Sequence, residues 1–453
     1  MSSLGRAPIV APCQNDQPVS SQDVTTLKRG MGTLATLGVV AILAAAWSVL
    51  VGRLLGPEEL GVLAIATLYP VLLATVGHMT FGVATVYDVG QNMRRVTTFA
   101  ANSLILGLCS GLLLYVAAVA TVPVLGGTLY VNVDYRYLVI AFTATISHLV
   151  AYQMASVLQG VNIRYYNAAN TVRFGLGVTL LLALVALANL GVLGAVIAFA
   201  ASSAMAAVVS VVLVVKATGS HGWRPDAGVL IQTLRSSSKL HIASVATVIY
   251  SQAGLIVANY YLRPFDVGCL YIALVYAQLL ALIPQAAQAV LYPRVASAAD
   301  ADAALSSALM SRHAFSWLLI AGVLAALTAP VLIGAVLGEA YWPSLVPLMV
   351  MLPGVILSSM AQTLSALWIR RRWYWFMAIS GSLIAVVGVS LQIALTAQVG
   401  IVGSALAYSL TYLLGFGIAV GAYVWAANGT LGELFVLRRS DLLMYRRMFS
   451  HGD

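Results

Sequence analysis

The stretch Leu262–Pro293, LRPFDVGCLYIALVYAQLLALIPQAAQAVLYP, echoes Leu55–Val86 at a constant offset of 207 residues. Identical pairs include Pro57/Pro264, Gly61/Gly268, Leu63/Leu270, Ile65/Ile272, Ala66/Ala273 and Tyr69/Tyr276, with Glu59 and Asp266 as a like-charged pair. A fixed offset over so many positions marks a duplicated unit, which has to be recognised before a fold is assigned. A second echo agrees: LGVLGAVIA at Leu190–Ala198 returns as VGIVGSALA at Val399–Ala407, 209 residues on. The chain therefore reads as two copies of one unit.

Composition decides the solvent of that unit. Of 453 residues, 61% are hydrophobic and 8% are charged, with a mean hydropathy of +0.94. A soluble domain needs roughly 25% charged residues whatever its size, so the chain is an integral membrane protein. Its apolar runs reach the ~20 residues that cross a hydrocarbon core. The ten-residue alternation of a membrane β-barrel is missing, and a spanning backbone must satisfy its own hydrogen bonds. These facts together predict an all-α membrane protein.

Twelve spans are predicted, near 31–52, 60–87, 97–121, 136–158, 166–188, 191–215, 240–260, 266–292, 313–337, 343–367, 373–396 and 399–425. Turn signals at Gly56-Pro57, Gly126-Gly127, Asn189–Gly191 and Arg263-Pro264 separate them. This gives a disordered tail over 1–27, a six-helix half over 28–215, a linker over 216–239, a second half over 240–425 and a basic tail over 426–453. Of the 23 Lys and Arg residues, all but Arg53, Arg136 and Arg263 fall on the side of the two tails. The positive-inside rule then places both termini in the cytoplasm of a multi-pass inner-membrane protein. Because six is even, the halves share one orientation and form a parallel repeat about an axis along the membrane normal. The net charge of +9 is thereby a matter of topology rather than of nucleic-acid binding. The tail after Tyr423 carries Arg438-Arg439 and Arg446-Arg447, which suit either an interfacial helix or plain topology charge.

Chemistry is conspicuous by type. The sequence holds no phosphate-binding glycine loop for ATP, no paired catalytic carboxylates and no His/Cys cluster, so no enzyme activity and no cofactor are expected. The three cysteines, Cys13, Cys109 and Cys269, have neither metal nor disulfide spacing. Polar groups inside spans are costly and hence informative. In the eighth span Tyr271, Gln278, Gln285 and Tyr292 recur every seven residues, with Gln288 one turn beyond Gln285. Such a stripe either lines a cavity or hydrogen-bonds a neighbouring span. Through the repeat offset Gln285 pairs with His78, and the polar side of the pair lies mainly in the second half. Gln252 and Asn259, seven apart in the seventh span, extend the same two readings. His148 and Gln153 share no polar face and read as packing residues. Asn167, Asn170 and Arg173 step by three into the fifth span. Arg173 either snorkels to headgroups or offers a planar fork to phosphate, and Arg294, after Pro293, stands at the inner mouth.

GRLLGPEELGVLAIA (Gly52–Ala66) resembles the glycine–proline signature between the first two spans of lipid-linked oligosaccharide flippases. AVLYPRVASA (Ala289–Ala298) resembles the same family's exit from span 8, and VGIVGSALAYSLTYLLGFGIA (Val399–Ala419) its span 12. These proteins belong to the multidrug/oligosaccharidyl-lipid/polysaccharide exporter superfamily. The resemblance implies a V-shaped twelve-helix bundle with a central cavity walled largely by spans 1, 2, 7 and 8. It also implies transport of polyprenyl-diphosphate-linked oligosaccharide for surface polysaccharide or lipopolysaccharide assembly. Membrane lipids and a polysaccharide polymerase of the same pathway are the partners it implies. The substrate-binding residues expected on this reading are His78, Arg173, Gln252, Tyr271, Gln278, Gln285, Gln288 and Arg294. A cation-coupled small-molecule extruder on the same fold is the alternative. Extruders of that superfamily use a carboxylate buried in the bundle, whereas the one acid here near a span interior is Asp88. A membrane-embedded polymerase or ligase would need a large outer loop, and the longest, about 122–135, is short and nearly uncharged.

Overall fold

A computed structural model describes residues 21–91, 93–219, 221–285, 300–427 and 430–436. Every regular element among them is helical: α1 (Ser21–Gly77), α2 (Phe81–Gln91), α3 (Val96–Leu125), α4 (Tyr135–Val161), α5 (Ile163–Leu181), α6 (Gly191–Thr218) and α7 (Ala227–Tyr261). Next come α8 (Pro264–Gln278), α9 (Asp300–Val331), α10 (Leu345–Thr363), α11 (Ser365–Arg370), α12 (Tyr374–Ala427) and α13 (Leu431–Phe435), with short 3-10 and π turns between some of them. Ten segments of the described residues are long and apolar enough to cross a membrane.

Two of these, Gly38–Gly77 and Tyr374–Ala426, run to 40 and 53 residues. Straight helices of that length would extend ~60 and ~80 Å, well beyond a ~30 Å hydrocarbon core. Both instead double back at a glycine whose φ is positive: Gly56 (φ 75°, ψ 172°) and Gly400 (φ 65°, ψ −141°). Gln392 and Ser404 would lie ~18 Å apart on one straight helix. In the fold Ser404 Oγ donates to Gln392 Oε1 (2.8 Å) and Gln392 Nε2 donates to the Ser404 carbonyl (3.2 Å). At the α1 turn, Trp47 and Thr67 line one cavity from either side of Gly56. A Cβ at Gly400 would hold L-chirality in a region only glycine occupies at ease, so Gly400→Ala is expected to cost about 1–3 kcal/mol. Thermal unfolding of the detergent-solubilised protein, compared with wild type, checks this.

The echoes in the sequence have a spatial meaning. Gly61 and Gly268 sit at the crossing of the second arm of α1 with α8, and the contact is reciprocal. A Cβ on Gly61 would lie 1.9 Å from the Pro264 carbonyl oxygen, and one on Gly268 would lie 1.9 Å from the Pro57 carbonyl oxygen. The two copies of the duplicated element thus meet each other about a local two-fold. In the second echo Gly191 and Gly400 both have positive φ, and Gly194 and Gly403 each let a helix approach the end of the one before it.

Contacts between the first and second halves gather at the turn end of the bundle. There Tyr341 Oη donates to the Gly52 carbonyl (2.8 Å), Arg53 Nη1 to Val336 (3.2 Å) and Asn259 Nδ2 to Leu129 (3.1 Å). At the opposite end the link runs through the start of α7. Asn102 and Asp226 exchange two 3.0 Å hydrogen bonds, and Thr233 Oγ1 donates to Asp88 (3.0 Å).

Helix is present in three of the segments that the sequence reading gave to tails and linker. Helix α1 already includes residues 21–27, which the sequence reading gave to the tail. The 216–239 linker is helical from Ala227, because Asp226 caps α7 by accepting from Gly228 and Val229 (2.8 and 3.1 Å). In the C-terminal tail Thr430 and Glu433 form a capping box that starts α13, whose Leu434 is buried. The arginines at 438–447 lie outside the described residues.

Candidate functional site

The site grows from an arginine with no acid beside it. Helices α4 and α5 form a hairpin joined at Asn162, whose side chain caps α5 by accepting from Arg164 (3.0 Å) and Tyr165 (3.4 Å). That hairpin brings Arg173 of α5 against His148 of α4, and Arg173 Nη2 donates to His148 Nε2. His148 Nδ1 lies 2.7 Å from the Ala144 carbonyl. A carbonyl only accepts, so Nδ1 carries the ring proton and Nε2 presents its lone pair to the guanidinium. The imidazole is therefore neutral, and the arginine keeps its whole charge. Among the described residues Arg173 forms no ion pair with a carboxylate; the salt bridge present, Arg263–Asp266 at 3.5 Å, is at the exposed turn end.

Arg173 faces two cavities. One, of about 380 Å³, is lined among others by His78, His148, Tyr152, Gln159, Tyr166 and Asn170. The second, about 220 Å³, adds Trp47, Ser48, Ser202, Ser203 and Tyr271. Hydroxyls, amides and aromatic faces around one fixed cation can accept an anion at the arginine and hydrogen-bond polar groups beside it. An uncompensated cation away from water is costly, so such residues mark function more often than stability.

The expected site residues divide accordingly. His78 and Arg173 share the larger cavity, Tyr271 and Arg173 share the second, and Gln252 joins Tyr271 in a third of about 210 Å³ beside Thr67. Gln278 and Gln285 are exposed and line none of these three cavities. Their heptad phase with Tyr271 fails for two reasons. Gln278 ends α8 on its exposed side, and the 3-10 turn Leu279–Ala281 that follows rotates Gln285 by ~60° out of the heptad phase. Gln288 and Arg294 lie outside the described residues. The polar groups around Arg173 come mainly from α4, α5 and the second arm of α1, so they sit in the first half rather than the second. His148, read from sequence as packing, is what holds the arginine. No wheel of one helix could show this, because its partner is on the next helix; a lone histidine and a lone arginine in adjacent apolar spans were the available signal.

Comparison with known proteins places this architecture. The sequence profile of the family described as "Polysaccharide biosynthesis protein" matches residues 27–299, more than half of the chain. No curated protein sequence matches it. Among solved structures, the inward-facing conformation of a multidrug resistance MATE family transporter of the MOP superfamily aligns with a TM-score of 0.71 at 15% identity. That alignment covers 91% of this chain and 96% of the other. The lipid II flippase MurJ, in an inward closed conformation, gives 0.69 at 12% identity over 94% and 93%. An outward-facing MATE family transporter gives 0.59 at 14% over 88% and 94%. At these identities the likeness is one of fold. The chain belongs to the polysaccharide biosynthesis protein family and is built on the fold shared by those transporters and that flippase.

Proposed function

We propose that the chain is a flippase that carries a polyprenyl-diphosphate-linked oligosaccharide across the inner membrane for surface polysaccharide or lipopolysaccharide assembly. The observation that carries this reading is Arg173: a cation held on a neutral histidine, facing polar cavities, with no carboxylate paired to it among the described residues. A diphosphate supplies the missing negative charge, and the surrounding hydroxyls and amides suit sugar hydroxyls. The ten apolar segments, two of them doubled at Gly56 and Gly400, support a reading of twelve crossings in two six-helix halves. With the basic tails in the cytoplasm, the joined turn end faces outward and the cavities open inward. Rocking of the halves about the Gly61–Gly268 crossing then exposes the site alternately to each side. A polysaccharide polymerase acting on the delivered substrate is the partner this role calls for.

Deleting the gene in its host is expected to stop surface polysaccharide display and to leave lipid-linked oligosaccharide on the cytoplasmic leaflet, both reversed by re-expression. Unchanged display, together with proton- or sodium-driven dye efflux from vesicles carrying the protein, would replace this reading with the cation-coupled extruder.

A further inference from the structure

The path of the second arm of α1 is interrupted inside the membrane. The helix stops at Gly77 and restarts at Phe81, and between them Met79 (φ 50°) and Thr80 (φ 52°) are both left-handed. Two consecutive non-glycine residues in that region, one of them β-branched, are strained and persist only when neighbours enforce them. The enforcing contacts are histidines. The Thr80 N–H donates to His78 Nδ1 (2.9 Å), closing the turn on itself. From the other half of the molecule His241 of α7 places its Nδ1 3.3 Å from the Thr80 hydroxyl and hydrogen-bonds the Val76 backbone, near the end of the interrupted helix. The two imidazoles stand 6.2 Å apart edge to face, and His78 stacks on Tyr152 of α4 at 4.4 Å.

We propose that His78 is a proton-binding site and that its protonation state decides whether this turn holds. The neutral ring can accept the Thr80 N–H because Nδ1 bears no hydrogen. A protonated imidazole has two donors and no acceptor, so a proton arriving at Nδ1 sets donor against donor and removes the brace of two strained residues. Once the turn relaxes, Thr80 leaves His241, and the tie between the halves at this depth opens. Imidazole is the side chain whose charge changes near neutral pH.

The groups facing His78 determine when the proton binds. They are His241 from α7, Tyr152 and His148 from α4, and Tyr166 and Arg173 from α5; α6 contributes Ala206 and Ser210 to the shared cavity, and Asp88 of α2 is engaged by Thr233. Arg173 is the fixed charge of that cavity and opposes a second cation there. An anion bound on Arg173 lifts the opposition, so proton and diphosphate bind with positive coupling, and by linkage each raises the affinity for the other. This coupling rests on the diphosphate reading above, whereas the proton site rests on the turn geometry alone.

Hydrogen–deuterium exchange of the 76–84 segment in the purified, detergent-solubilised full chain tests both. After correction for the intrinsic pH dependence of exchange, protection of wild type is expected to fall roughly tenfold on acidification across the acidic range, as befits one lost hydrogen bond. His78→Gln keeps an acceptor that does not titrate, so its protection is expected to be the same across that range. Inorganic pyrophosphate is expected to shift the wild-type transition to higher pH and to leave that of Arg173→Gln in place. A wild-type profile that coincides with His78→Gln at every pH overturns the proton site, whatever the substrate. A transition that pyrophosphate does not move overturns the coupling and counts against the diphosphate reading, with the proton site intact.

Discussion

Arg173→Gln is expected to abolish transport of lipid-linked oligosaccharide while leaving the protein as stable as wild type, or more so. The two effects separate because they have different origins. On the proposed reading, function loses a charge-assisted contact to the diphosphate; removing one partner of such a buried pair costs about 2–5 kcal/mol, or ~30-fold to several thousand-fold in affinity. Stability loses nothing comparable, since the arginine has a neutral histidine and, among the described residues, no carboxylate for a partner. Replacing a half-buried cation that no carboxylate compensates by a neutral amide removes a desolvation penalty. Arg173→Lys retains the charge without the planar fork and is expected to fall between. His148→Phe deletes the acceptor that aims the guanidinium and is expected to weaken binding while keeping the cation. Uptake into proteoliposomes and thermal unfolding of the same preparations measure the pair of effects. Wild-type transport by Arg173→Gln would remove the arginine from the site, and a collapse in stability would make it structural.

Gly61→Ala and Gly268→Ala should each damage the molecule more than overpacking of a deformable core does. Overpacking ordinarily costs about 1–3 kcal/mol because side chains give way. Here each new Cβ would meet a carbonyl oxygen of the opposing backbone at 1.9 Å, so helices rather than side chains must move. The expected result is a lower unfolding temperature and loss of transport in both variants. The double variant should be much less than additive, because the first methyl already parts the surfaces that the second would wedge. Gly175→Ala is the control: its helical position has open space around it, and the change should be neutral or slightly stabilising. Additive losses would mean that the two glycines serve separate contacts.

Much of the architecture was legible in the residues, and the reason is physical. The hydrocarbon requirement leaves long apolar helices as the one workable backbone for this composition, so span positions follow from hydropathy and turn chemistry. Gly56 was readable as a turn for the same reason, whereas Gly400 stood only beside the predicted break between the last two spans; both reverse the chain where straight helices would overshoot the membrane. Where the prediction departed from the structure, a capping side chain or an adjacent helix intervened. Asp226 converted a loop into the start of α7. The stripe Tyr271–Gln278–Gln285 assumed that one face of a helix keeps one environment along its length. The helix gives way to a 3-10 turn at Leu279–Ala281, and Tyr271 lines a cavity while Gln278 and Gln285 are exposed.

The stretch Leu262–Pro293 shows the division clearly. Its echo at Leu55–Val86 was a property of the string alone, and it sufficed to establish a duplicated membrane unit with paired glycines. That Gly61 and Gly268 touch each other's partner prolines across the two halves was decided by tertiary structure, because an offset between copies contains no distance. The same holds for the site. Composition could announce that Arg173 and two histidines are expensive in a membrane, but which groups share the expense depends on helix neighbours brought together by packing. His148 takes Arg173, and His241 reaches from the other half to the strained turn beside His78.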